Sequence, residues 1–229
     1  RTVSIDELQV PDMDFVTTAL GRDEQIEAVL GPVLDKLLAG EEQVVYLDRR
    51  MRVVGPLGDL ERRLDESPVV LVPYETASPD GGSLGSLVDQ SESRGIFHPG
   101  VIGVRRSDES AAVIKAWPGR ALAVSPRDNR AAVEDDAGRL DPFRGWLDTL
   151  PTRAPGVAPL LAPAFVAGAW NINGNVAAAD GGIAMSGSRI ALLDFTEFDP
   201  DRPHLLSTGE DAPKLSESPV LVELCAHHA

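Results

Sequence analysis

The chain has 229 residues, with 36 acidic against 21 basic side chains and a net charge of −15. That surplus of carboxylates excludes a protein that grips phosphate backbones through a basic face, so no nucleic-acid partner is expected, and it works equally against anionic membrane surfaces. A hydrophobic fraction of 43% suffices for one globular domain, and the single cysteine rules out an internal disulfide framework and suits a cytoplasmic setting. No apolar run nears the roughly 20 residues of a bilayer span, so no integral membrane segment is expected.

Val3 to Val10 reads as a short strand or extended lead-in before a turn at Pro11-Asp12. From Glu24 to Ala39 the apolar residues fall at helical spacing, with Pro32 expected to kink or split the helix near Gly31 and Gly40 to stop it. Val44 to Leu47 is a short β-branched run, a buried strand that ends at Asp48. Asp59 to Glu66 is helical, with Leu60 and Leu64 on one face, and Val69 to Val72 is a second buried strand. Ser78 to Arg94, polar and rich in Gly and Ser, is a long surface loop or lid. Val101 to Val104 is a third strand, followed by helices over Asp108–Ala116 and Asp141–Leu150, with the weakly patterned stretch Pro118–Leu140 between them. Pro151 to Pro163 should be an extended connection, and Gly181-Gly182 should begin a hairpin leading to a strand over Ile190–Phe195. Ser218-Pro219 opens a last helix, with the serine as its cap. Short apolar strands alternating with helices predict a single α/β domain over residues 1–229 with a mixed or parallel sheet.

The first site candidate is Asp48, because open α/β sheets bind ligands at the carboxyl ends of their strands; as a turn or cap residue it would need no further role. The neighbouring Arg49 and Arg50 could meet phosphate oxygens bidentately, or could simply be solvated. His98, in Phe97-His98-Pro99-Gly100, reads as a loop residue before a buried strand. Trp170-Asn171-Ile172-Asn173 offers an aromatic platform with amides, suited to a sugar's face and hydroxyls or to a core with turn asparagines. Cys225-Ala226-His227-His228 lacks a second ligand cluster at zinc spacing, and Ser186 and Ser188 have no nucleophile elbow around them.

Five segments, in order, resemble bacterial nucleotide-sugar glycosyltransferases of the GT-A fold, of the glycogenin-like retaining type. Val44-Val45-Tyr46-Leu47-Asp48-Arg49-Arg50-Met51 with Val53-Val54-Gly55-Pro56-Leu57 is similar to "VLYLDPDILVLGPL", and Gly100 to Arg106 to "LGFIALRR". Asp141, Trp146 and Leu150-Pro151 fall like "DQKWIDLVP", Trp170-Asn171 like "YWNL", and Phe198 to Ser207 like "FSGFDPERPxxLS". The resemblance implies a GT-A-like mixed sheet flanked by helices, without its first β-α-β unit, so that the chain reads as a piece of a longer protein, with an additional domain of the same parent chain as a partner. It implies transfer of a sugar from a nucleotide-sugar donor to an unknown acceptor. It also implies a divalent cation, manganese or magnesium, held by Asp48 and Asp194; His98, Gly100, Trp170 and Asn171 on the sugar and acceptor side; and Asp141 near the transferring sugar, while Arg49 and Arg50 could neutralise the donor diphosphate directly and make transfer without metal possible. Three positions depart from the pattern: Arg50 stands where the family has its second acid, Asp194 where it has a metal-binding histidine, and Pro142 after Asp141 where it has glutamine. Because all three fall at chemical positions, a catalytically inactive module of the same fold, kept for binding or structure, is the alternative, and an α/β interaction domain is a third reading.

Overall fold

The structure, a computed structural model, describes residues 3–8, 10, 12–76, 94–123, 142–172, 176–179, 182–207, 215 and 218–227. The expected lid over Ser78–Arg94 lies outside these residues except for Arg94, as do the end of the weakly patterned stretch (124–140), Asp141, Asn173, Gly181 and His228.

The lead-in is not a strand. Ile5–Glu7 form one 3-10 turn, and a helix α1 follows over Met13–Ala19. Helix α2 spans Arg22–Leu38 without a break, so Pro32 does not split it. Gly31 serves packing instead, since a Cβ there would lie 2.9 Å from Trp117 Cβ and the glycine thereby admits Trp117 against the helix. Strand β1 (Gln43–Leu47) leads through a turn at Asp48 to β2 (Met51–Val53), and α3 covers Gly58–Glu66. Leu60 and Leu64 are fully buried as their spacing requires, each worth about 2 kcal/mol. Strand β3 (Val69–Pro73) is followed by β4 (Phe97–Arg105), α4 (Asp108–Ala123) and α5 (Pro142–Arg153). The expected extended connection after Leu150 begins instead as the last turn of α5 and then forms β5 (Val157–Pro159). The short strands β6 (Val166–Ala167), β7 (Val176–Ala179), β8 (Gly182–Met185), β9 (Ser188–Arg189) and β10 (Leu192–Asp194) precede the final helix α6 (Pro219–Ala226).

Helices and mixed sheets make this an α/β protein, but the described strands divide into three sheets. The main one has the order β1-β4-β3-β5, with β4 antiparallel to both neighbours and β5 parallel to β3. A second joins β2 (antiparallel) and β6 (parallel) to β10, and a third is the meander β7-β8-β9. The glycine hairpin therefore pairs β8 with β7 and β9, and not with the strand around Leu192.

The main sheet is covered on both faces, which is why β3 is apolar at every position. Its alternate residues go opposite ways. Val69 and Leu71 pack with Leu34, Trp117 and Leu147 of α2, α4 and α5, whereas Val70 and Val72 pack with Leu60, Leu64, Val166 and Leu192. A further core, built on Ile183, Ile190, Leu193, Phe195 and Leu221, joins the second and third sheets to α6. Ser218 precedes α6 as expected, but its hydroxyl donates to the Val176 carbonyl at 3.2 Å and makes no side-chain bond to the helix it precedes.

Candidate functional site

The main sheet's directionality gathers the site. Because β4 runs antiparallel to β1 and β3, its first residues lie beside their carboxyl ends. Asp48 just after β1, Tyr74 just after β3 and His98 and Gly100 at the start of β4 therefore meet, and the end of β10 brings Asp194 to them. The Asp48 amide donates to the Gly100 carbonyl at 2.8 Å. His98 is thus part of a strand and 3% exposed, not the loop residue its sequence suggested. Pro99 is tolerated because the β3–β4 register is interrupted there, between Leu71 and Pro73. Gly100 is required by crowding, since a Cβ would sit 3.0 Å from the His98 ring and 3.1 Å from Asp48 Cβ.

Two charged groups are held in separate networks. Asp194 lies 2.9 Å from His98 Nε2 through Oδ2, while its Oδ1 accepts the Thr196 amide at 2.7 Å and the Thr196 hydroxyl at 2.5 Å. The Gly100 amide donates to His98 Nδ1 at 3.0 Å, which puts the ring's proton on Nε2, facing Asp194. Burial works to raise the Asp194 pKa, but the hydrogen bonds from His98 and Thr196 outweigh it and hold the carboxyl below its ordinary value.

Asp48 is enclosed by Arg50. Its Oδ1 accepts the Arg50 amide at 2.9 Å and Nε at 2.8 Å, and its Oδ2 accepts Nη2 at 3.3 Å. Here too burial raises the pKa, yet the Arg50 hydrogen bonds and the charges of Arg50 and Arg49 bring it below the usual carboxylate value. Arg50 also reaches Asp23 at the start of α2 at 3.5 Å, and Arg49 approaches the same carboxylate at 3.7 Å. Burial, followed by the charge of Asp48, pushes the Tyr46 hydroxyl far above its normal pKa, so the phenol keeps its proton at any ordinary pH.

Above these networks stands an aromatic group. The Tyr74 ring is 4.7 Å from the His98 ring and 5.1 Å from Trp170, edge to face with the latter, and the Arg94 guanidinium lies 5.9 Å over Trp170. A cavity of about 150 Å³ opens among Asp23, Glu27, Tyr46, Asp48, Arg50, Tyr74, His98, Arg144 and Thr196. Carboxylates, guanidinium groups and aromatic faces on one wall can hydrogen-bond hydroxyls in both directions while an aromatic ring covers an apolar face.

The residues expected to hold a divalent cation do not fit one. Both oxygens of Asp48, both oxygens of Asp194 and both nitrogens of His98 are engaged within the protein, and Arg50 fills the space where a second acid would stand. A hard cation needs several free oxygens. Among the described residues no three His, Cys, Asp or Glu side chains converge as a metal group. Cys225 is buried and its thiol is pushed up to about 11 by that burial, while His227 Nδ1 lies 2.7 Å from the Glu223 carbonyl of its own helix.

Of the other expected residues, Trp170 joins the aromatic group, but Asn171 does not reach this cavity. Its amide accepts from the Gly168 N–H at 2.9 Å and donates to the Val166 carbonyl at 3.0 Å, which ties down its own loop. Arg144, on α5, lines the cavity. Sequence reasoning does not single out Tyr74, Thr196, Asp23 or Arg144. For Tyr74 a signal exists, because it follows a buried strand at its carboxyl end, and Thr196 stands two residues after an acid in an Asx-turn pattern. Asp23 and Arg144 are ordinary helix-surface residues whose sequence context carries no such sign. Comparison of the chain with protein-family models and with curated proteins finds no match.

Proposed function

We propose that the chain is a glycosyltransferase-type domain with a GT-A-like arrangement, which holds a nucleotide-sugar donor in the Tyr46–His98 cavity without a metal ion and transfers its sugar to an acceptor. One observation carries the reading. Asp48, His98, Gly100, Trp170 and Asp194 lie in four separate segments that resemble, or adjoin residues resembling, that family; Asp48, His98 and Gly100 line one cavity, Trp170 packs against Tyr74 and His98 at its edge, and Asp194 is bonded to His98. A chance resemblance has no reason to assemble in space. In this reading Tyr46 and Tyr74 cover the sugar, Asp23 and Glu27 accept from its hydroxyls, and Arg50 and Arg144 supply the positive charge that a departing diphosphate needs.

The saturation of Asp48 and Asp194 favours a second reading, a binding module of the same descent that does not turn over. Saturation-transfer NMR with UDP-glucose and GDP-mannose tests the binding both readings share. Transfer to the sugar protons that disappears in Tyr74→Ala is the expected result, and its absence for both compounds would remove the donor reading. Release of free nucleotide over time then separates the transferase from the module.

A further inference from the structure

On the other side of Tyr74 lies a second and larger cavity, of about 230 Å³, which the donor reading leaves unused. Its walls come from the end of β3, the loop before β6 and the β8–β9 turn. Val72, Phe165 and Met185 make it apolar, while Glu75, Ser186 and Ser188 bring polar groups to it. Glu75 Oε2 is buried with no hydrogen-bond partner among the described residues, a condition shared only with the indole nitrogen of Trp117 in the core. A buried acceptor without a partner is costly and uncommon, and it is explained when a ligand supplies the donor. Ala164, a non-glycine residue with left-handed backbone (φ 57), also lines this cavity, a conformation that gathers where a loop shape is held for a ligand, whereas that of Ser186 (φ 49) follows from the two-residue β8–β9 turn.

We propose that this cavity is a binding site for a small neutral alcohol or vicinal diol, with one hydroxyl donating to Glu75, a second meeting Ser186 or Ser188, and its carbon face against Phe165 and Met185. The side chains point to a neutral ligand. A carboxylate on the ligand would be repelled by Glu75, and the hydroxyls of Ser186 and Ser188 offer a second alcohol both a donor and an acceptor, which an ammonium could use only in part. The site stands without the donor reading; only its role as the place of the acceptor alcohol, separated from the donor cavity by the Tyr74 ring that lines both, rests on that reading.

Carbon-13 methyl NMR of the three methionines gives a direct test, because Met185 lines the cavity while Met13 and Met51 serve as internal controls. The probe is trans-1,2-cyclohexanediol, with cyclohexanecarboxylate and cyclohexylammonium as controls of the same size, and Met185→Leu assigns the signal. The diol should move the Met185 methyl selectively, and Glu75→Leu should weaken it about tenfold or more, as loss of a hydrogen bond to a charged group does. Glu75→Leu without ligand should melt no lower than the parent, since it removes a buried oxygen that has no partner, so a loss of binding would not reflect a loss of fold. An unmoved Met185 signal, an equal diol affinity in Glu75→Leu, or tighter binding of either charged control would overturn the proposal. Diol binding that persists when neither nucleotide sugar binds would support the site while removing its acceptor role.

Discussion

At the scale of single residues, the site is defined by what its carboxylates are already doing. Asp48 and Asp194 are the two acids expected from the sequence to hold a cation, and each is bonded to a neighbour, Arg50 for one and His98 with Thr196 for the other. Both have pKa values below the ordinary carboxylate value, so both stabilise the fold in their charged form. That stabilisation is complete above the unfolded-state pKa of about 3.9 and is lost as pH falls through the lower folded values. Melting temperature should therefore be level from neutral pH to about 4 and then fall steeply. Asp194→Asn should flatten that fall and cost about 3 kcal/mol at neutral pH, because it leaves a buried histidine donor without its charged acceptor. Thermal melts of the two proteins between pH 7 and about 2 would check both statements; a parallel acid profile in the variant would contradict the assignment.

The same residues show how much of the site is legible in the sequence. Asp48 is marked by ending a short apolar strand, whereas Asp194 and His98 stand out only because their segments resemble, or adjoin residues resembling, a family. That His98 and Asp194 touch is not legible, because they stand 96 positions apart and meet only through the antiparallel placing of β4. Arg49 and Arg50 read equally as diphosphate ligands or solvated charges. The structure pairs Arg50 with Asp48 and Asp23, and Arg49 shares the Asp23 carboxylate, so in the donor reading a diphosphate takes the place of Asp23 at these guanidinium groups.

At the scale of elements, the buried strands β1 and β3, each built on an uninterrupted apolar run, can be placed almost to the residue, whereas β4 begins four residues before its expected start, through His98 and Pro99. The sheet partners of these strands cannot be placed, since pairing depends on crossovers that a local pattern does not encode. The short strands β2, β6 and β9 are two or three residues long and leave no periodicity to read. Pro32 and Pro151 mislead in the same way: each sits inside a helix whose packing against neighbours exceeds the loss of one backbone bond. Gly31, which in sequence marks a break, is a contact surface. Gly31→Ala gains about 1 kcal/mol of helix propensity but forces a methyl to within 2.9 Å of Trp117 Cβ, an atom close to the backbone that cannot swing aside. The net effect should be a loss of about 1–2 kcal/mol, seen as a melting temperature lower by about 2–6 °C. An unchanged or higher melting point would show that α2 and α4 can separate freely.

For the whole molecule, three sheets and their covering helices bring the ends of four strands to one side, and both cavities open there around Tyr74. No described helix is long and apolar enough to cross a membrane. Strand β1 pairs only with β4 among the described strands, which leaves it at the border of the main sheet. The central claim is that a nucleotide sugar is held here with Arg50 in place of a metal ion. Calorimetric titration with UDP-glucose and GDP-mannose, each with manganese and with a chelator in its place, tests that claim most directly. At least one of them should bind with the same affinity in both conditions, and more weakly in Arg50→Ala. Affinity that rises tenfold or more with manganese would show that Asp48 and Asp194 leave their present partners for a cation, and would contradict the claim.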